Sequence, residues 1–242
     1  REEIAREKAG IMRIDAPVIC ADPDPPAAIS ECAVSAGSKL IQLGMDFHYS
    51  TGTECWLWEG QWEARSGLTL PGQSHLDNIA GALAALELLG WLPDVTTLNR
   101  VFDSWKLSGR LQVVPGEVEW WLDVAHNEGS VRALVRALTH NPESGNCICI
   151  IGLLADKPAA AMLTALLPCV TEWIVVALDT SRAIPATEIA DELYRQGVRK
   201  VSVMHSVAAG CAVARARSKA GDRVVVTGSF HTVGPAMAWL GL

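Results

Sequence analysis

From residue 109 onward the chain alternates short apolar runs with stretches of helical spacing, and that alternation leaves few folds open. Leu111 to Val114, Val118 to Leu122, Cys147 to Ile151, Trp173 to Ala177, Lys200 to Val203 and Arg223 to Val226 read as strands. Residues 130–139, 158–167, 186–196, 206–219 and 232–241 read as helices. Pro115-Gly116 turns the first two strands into a hairpin. The remaining strands are separated mostly by helices, which predicts a mostly parallel, doubly wound α/β sheet. Ligands bind such sheets in the crevice outside the carboxyl ends of the strands.

The first part of the chain is less regular. Residues 1–9 read as a helix stopped by Gly10, Pro17 to Ala21 as a strand, Pro26 to Ala36 as a helix closed by Gly37, and Lys39 to Leu43 as a strand. Cys55 to Trp58 and Gln61 to Arg65 form an expected hairpin around Glu59-Gly60, with Trp56, Trp58 and Trp62 as packed neighbours. Helices follow at His75 to Leu89 and Thr96 to Trp105. A joint at Lys106 to Arg110, relaxed by Gly109, divides the chain into units 1–108 and 109–242.

Composition narrows the function classes. A formal net charge of -7 without a lysine and arginine cluster speaks against nucleic-acid binding. No run approaches the ~18 apolar residues that span a bilayer. Residues 1–10 lack the pattern of a signal peptide, so a cytoplasmic protein is expected. The seven cysteines are irregularly spaced, several inside apolar runs, which favours reduced thiols. Cys147 and Cys149 should share one strand face as core residues rather than bind zinc. Nothing calls for a partner chain, and a monomer is expected.

The most distinctive polar groups follow strands of the second unit. Trp120-Trp121-Leu122 stops on Asp123-Val124-Ala125-His126-Asn127, a strand-to-helix turn. There Asp123 could accept from a sugar diol and His126 could contact a phosphate or carboxylate; the competing reading makes Asp123 and Asn127 caps of the next helix. Gly152 to Lys157, Asp179 to Arg182 and Gly228 to Thr232 should converge on the same edge. At Gly228-Ser229-Phe230-His231-Thr232, N–H groups and a hydroxyl precede a helix and could receive an anion, or simply cap it. The glycine fingerprint of nicotinamide-binding folds is missing. In the first unit, Lys8 lies near a helix end, and Asn78 near a helix start can cap or offer the donor and acceptor pair that suits adenine.

Seven runs in order resemble the folate branch of the Mur ligase superfamily, the dihydrofolate and folylpolyglutamate synthases. They are Ile4 to Ile11, Leu43 to Phe47, His75 to Asn78, Gly109 to Gln112, Asp123 to Asn127, Gly152 to Lys157 and Gly228 to Val233. The resemblance implies the C-terminal part of a Mur-ligase ATPase domain (1–108) followed by the family's Rossmann-like glutamate ligase domain (109–242). It implies an ATP- and Mg2+-dependent amide ligase that joins L-glutamate to dihydropteroate or a reduced folate through an acyl phosphate. By resemblance, Lys8 is a carbamylated lysine that holds magnesium, Asn78 and Arg110 hold ATP, and Asp123 meets its ribose. His126, Ser229 and His231 would surround the incoming glutamate, His126 next to the reaction itself. Closure around Lys106 to Gly109 would then align the reactants.

The chain departs from the family pattern at Val124 (usually glycine), Glu128 (usually proline), Pro158 (usually an acid) and Ser181 (usually proline). A phosphate-cradling loop and the upstream magnesium histidine have no match. Both would lie before Arg1, so a piece of a longer enzyme, inactive by itself, is expected. Two alternatives stay open: a ligand-binding fragment without catalysis, and a cell-wall Mur ligase.

Overall fold

A computed structural model describes residues 1–53, 55–69, 76–104, 107–140 and 145–242. The chain divides into two compact units, Arg1–Trp105 and Lys106–Leu242.

In the first unit, α1 (Glu2–Ala9), β1 (Pro17–Cys20), α2 (Ala27–Ala36) and β2 (Lys39–Gln42) follow in order, with β1 and β2 parallel. Ala9, Met12 and Ala33 pack with Val18 and Leu40 beneath the two helices. Gly37 ends α2 at φ 65, a left-handed turn suited to glycine. β3 (His48–Thr51), β4 (Cys55–Glu59) and β5 (Ala64–Thr69) form an antiparallel sheet covered by α3 (Leu76–Leu88) and α4 (Val95–Ser104). Phe47, Trp56, Trp58 and Leu68 fill the space between with Ile79, Leu83 and Phe102. β3 has no counterpart among the sequence expectations, because its burial pattern shows only one half-buried residue, Tyr49. Trp56 and Trp58 are buried as expected, but Trp62 falls in the turn before β5 and is 64% exposed. His75 and Trp105, the expected ends of two helices, and Lys106 of the expected joint lie outside the described residues.

The second unit runs β6 (Gln112–Val114), β7 (Glu119–Asp123), α5 (Glu128–His140), β8 (Cys147–Ile151), α6 (Ala159–Leu166), β9 (Glu172–Val176), α7 (Ala186–Arg195), β10 (Val201–Met204), α8 (Val207–Arg217), β11 (Arg223–Thr227) and α9 (Phe230–Leu240). Its sheet has the order β10-β9-β8-β11-β7-β6 and is parallel except for β6, as the alternation predicts. Helices α5, α6 and α7 cover one face, over Trp121, Cys149, Val175 and Val225. Helices α8 and α9 cover the other, over Trp120, Ile150, Ile174 and Val226. Successive residues of one strand therefore feed opposite cores, and both Trp120 and Trp121 are buried.

Strand β11 returns to fill the place between β7 and β8. The carboxyl ends of these three neighbours are where the chain changes direction, the crevice position of an open α/β sheet. At the opposite end, Asp222 accepts from the N–H groups of Asn146 (2.7 Å) and Lys219 (2.8 Å), tying the entries of β8 and β11. Every cysteine is a free thiol, and Cys147 and Cys149 both belong to the α5–α7 core. Burial pushes the Cys147 thiol up to about 12. Among the described residues no helix is long and apolar enough to cross a membrane.

Candidate active site at the carboxyl edge of the second sheet

Asp123 closes β7 and is buried. Its Oδ2 accepts the N–H of Leu111 and its Oδ1 the N–H of Ala125, each at 2.7 Å. It therefore does not cap the following helix. Asn127 does: its Oδ1 accepts from Ser130 N–H at 2.9 Å, while Ser130 Oγ accepts from Asn127 N–H at 3.2 Å. This reciprocal pair starts α5 at Glu128, two residues before the expected boundary. An acid at that first helical position takes the place of the family's proline, and both suit a helix start.

The Gly109-Arg110-Leu111 segment folds back onto this turn. Gly109 (φ 66) accepts from Val124 N–H at 2.8 Å, and a Cβ on Gly109 would come within 3.1 Å of Val233 and 3.3 Å of Val124. Val124, where the family has glycine, is buried in the α8–α9 core. Leu111 holds φ 44, a left-handed conformation that a branched side chain rarely adopts. Between them the Arg110 guanidinium lies 5.8 Å from the centre of the exposed Phe230 ring.

The loop after β11 reaches the same place. Gly228 N–H donates to Ala125 C=O at 3.1 Å, joining the turn that carries His126 to the turn that carries Ser229. The ring of His126 is half-buried, and its Nδ1 lies 2.9 Å from Val124 C=O. A carbonyl only accepts, so the proton sits on Nδ1 and Nε2 is the nitrogen left open in the neutral ring. Ser229 is 3% exposed and bonded to Thr232. Thr232 enters the sequence reading only as the end of the Gly228 run, with no role of its own, although its place three residues after Ser229 is the spacing of a helix-start pair. His231 is exposed and lines a cleft of about 650 Å3 with Asp179, His205 and Phe230.

The loops after β8 and β9 are zipped together. Ala155 N–H donates to Arg182 C=O at 2.8 Å and Ile184 N–H to Leu153 C=O at 2.9 Å. Asp156 takes ion pairs from Lys157 at 2.7 Å and Arg182 at 3.1 Å, and these cations hold its carboxyl down at about 2.

Two sequence candidates lie in the first unit. Lys8 is exposed in the last turn of α1, its Nζ 3.7 Å from a Glu7 carboxylate oxygen. Asn78 is exposed in the first turn of α3. Its neighbour Asp77 accepts from the Tyr49 hydroxyl at 2.7 Å, and burial with that bond pushes the phenol up to about 12. Among the described residues, no group of three or more His, Cys, Asp or Glu side chains could hold a metal ion.

Residues 109–230, which include the turns after β7, β8 and β9 and the start of the turn after β11, match the family model described as Mur ligase, glutamate ligase domain. The chain belongs to the Mur ligase family. Among curated Mur ligase relatives it is 34% identical over 237 residues to the dihydrofolate synthase/folylpolyglutamate synthase of Escherichia coli (strain K12), covering 98% of this chain and 55% of that protein. The E. coli FolC structure in complex with DHPP and ADP superposes with a TM-score of 0.89 at 32% identity, covering 99% of this chain and 56% of that one. A bifunctional folylpolyglutamate synthase/dihydrofolate synthase with Mn, AMPPNP and L-glutamate bound gives 0.85 at 31% identity, covering 100% and 57%. The chain thus spans about half the length of the Mur ligase relatives it matches.

Proposed function

We propose that this chain provides the glutamate-binding surface and part of the nucleotide-binding surface of an ATP-dependent ligase. The ligase joins L-glutamate to dihydropteroate or a reduced folate. The observation that carries the reading is the meeting of segments 109–111, 123–126 and 228–232 at one sheet edge, the first two inside the stretch that matches the glutamate ligase model and the third at its end.

In this reading Arg110, Asp123 and Asn78 hold ATP. A carboxylate is an acceptor-only group, and sugar hydroxyls are suitable donors to Asp123. Among the described residues Arg110 faces an aromatic ring rather than a carboxylate, which leaves its fork of donors for phosphate. ATP with magnesium supplies the phosphoryl group that activates the pterin carboxylate. The described residues fit an ion carried mainly by the phosphates, since magnesium characteristically takes one or two protein carboxylates. Lys8, carrying a carbamate, would add an anionic oxygen beside Glu7.

His126, Ser229 and His231 surround the glutamate in this reading. The open Nε2 of His126 can take a proton from the amine as it becomes nucleophilic, while Nδ1 stays committed to Val124. The test measures ADP and amide product from ATP, glutamate and dihydropteroate. It compares the chain alone with the chain fused to the portion of the E. coli relative that it does not cover. Product that requires both glutamate and the pterin supports the reading; turnover driven instead by a cell-wall nucleotide precursor defeats it.

A further inference from the structure

Arg110 stands on a three-residue arch with a left-handed residue at either foot, Gly109 at φ 66 and Leu111 at φ 44. Glycine adopts that conformation freely and leucine does not, so the arch persists only where its backbone groups are held from outside. Four hydrogen bonds hold it. Arg110 N–H donates to Leu107 C=O at 3.1 Å, Val124 N–H donates to Gly109 C=O at 2.8 Å, and Leu111 N–H donates to Asp123 Oδ2 at 2.7 Å. The fourth comes from Gly109 N–H, which donates to Oε1 of the Gln112 side chain at 2.8 Å.

The bond to Gln112 has no substitute. Gly109 is buried, with the side chains of Val233 and Val124 against its Cα. A buried N–H without an acceptor carries its full desolvation penalty. Asp123 holds the other foot, but in the nucleotide reading the same carboxylate also meets sugar hydroxyls, so its hold is shared with the ligand. Gln112 opens β6, where its backbone is fixed by pairing with Leu122 of β7. From that anchored position the side chain reaches back three residues and turns its amide oxygen to the glycine, since only the oxygen of the amide accepts. Gly109 is thereby tied to the sheet.

We propose that Gln112 is a positioning residue for the nucleotide: by holding Gly109 N–H it fixes the arch that aims the Arg110 guanidinium at phosphate. The inference rests on the reading that gives Arg110 to ATP, and it adds what sets the direction of that arginine. Gln112 acts through Arg110 and not by contact with the ligand. Its loss therefore weakens nucleotide binding only where the arginine is present.

The test follows the chain by two-dimensional NMR, first without ligand and then in a titration with AMPPNP and magnesium. Gln112→Leu is close in size and has no acceptor, whereas Gln112→Glu keeps one. In the ligand-free chain the Gly109 amide proton should exchange about tenfold faster in the leucine variant and at close to the wild-type rate in the glutamate variant. AMPPNP affinity should fall about fivefold in Gln112→Leu and stay within about twofold of the wild type in Gln112→Glu. In an Arg110→Ala background the leucine substitution should cost less than about twofold more. Gln112→Asn, one methylene too short for the bond, provides the same readings where the leucine variant does not fold. Unchanged Gly109 exchange or unchanged AMPPNP affinity in the folded leucine or asparagine variant overturns the proposal. So does a fivefold loss repeated in the Arg110→Ala background, or a glutamate variant that matches leucine in both measurements. Absence of AMPPNP binding by the wild type, or Arg110→Ala that binds it as tightly as the wild type, overturns the nucleotide reading itself.

Discussion

The backbone N–H of Leu111 donates to Oδ2 of Asp123 at 2.7 Å while Leu111 holds φ 44. A left-handed leucine costs roughly 1–2 kcal/mol, and a charge-assisted hydrogen bond is of the size needed to hold it. Asp123 is therefore a structural anchor of the 109–111 segment before it meets any ligand. Asp123→Asn replaces one acceptor oxygen by an amide that confronts an N–H. It should lower the stability of the second unit by about 1–3 kcal/mol in urea unfolding. An unchanged unfolding midpoint would mean that the carboxylate matters only to a ligand.

Asp222 has a comparable role at the other end of the sheet, and its contribution depends on pH. The N–H groups of Lys219 and Asn146 hold its carboxyl below the usual carboxylate range. A depressed folded value means that the stabilisation is fully present above the unfolded value of about 3.9 and is lost as pH falls through the folded value. Asp222→Asn should unfold at lower urea than the wild type at pH 7, and the gap should narrow as pH is taken toward 3. A gap that stays constant with pH would show that the loss comes from packing rather than from the charge.

The parts of this fold that were legible in the sequence are those buried on both faces. β8 and the Val224–Val226 centre of β11 are apolar and lie between neighbouring strands on both sides, so their composition alone marks them. β3 is the opposite case: a short strand with Tyr49 as its one half-buried residue carries no period to read. Trp62 reads as a third packed tryptophan only with a strand that begins at Gln61, and β5 begins at Ala64. In the site, Asp123 to Asn127 stood out because an apolar run halts on polar groups. The Asn127 and Ser130 cap sets the start of α5, and hydrophobic spacing alone begins two residues later. The bond from Thr232 to Gly152 joins positions 80 apart in sequence, and no local pattern encodes such a pairing.

Glu87 shows how one buried carboxylate can set a hairpin. It is 7% exposed on α3, and it accepts three consecutive N–H groups: Gln61 at 2.9 Å, Trp62 at 3.0 Å and Glu63 at 2.7 Å. The same closeness excludes a side chain at Gly60, where a Cβ would stand 2.4 Å from both carboxylate oxygens. Glu87→Gln retains one acceptor oxygen and should cost about 1–2 kcal/mol, whereas Glu87→Ala leaves three N–H groups to water and should cost about 2–4 kcal/mol. The loss should be local as well as global, with amide exchange at 61–63 accelerating in both variants and more strongly in alanine. Exchange at these three amides that matches the wild type would show that the β4–β5 turn holds itself, and that Glu87 is buried for some other reason.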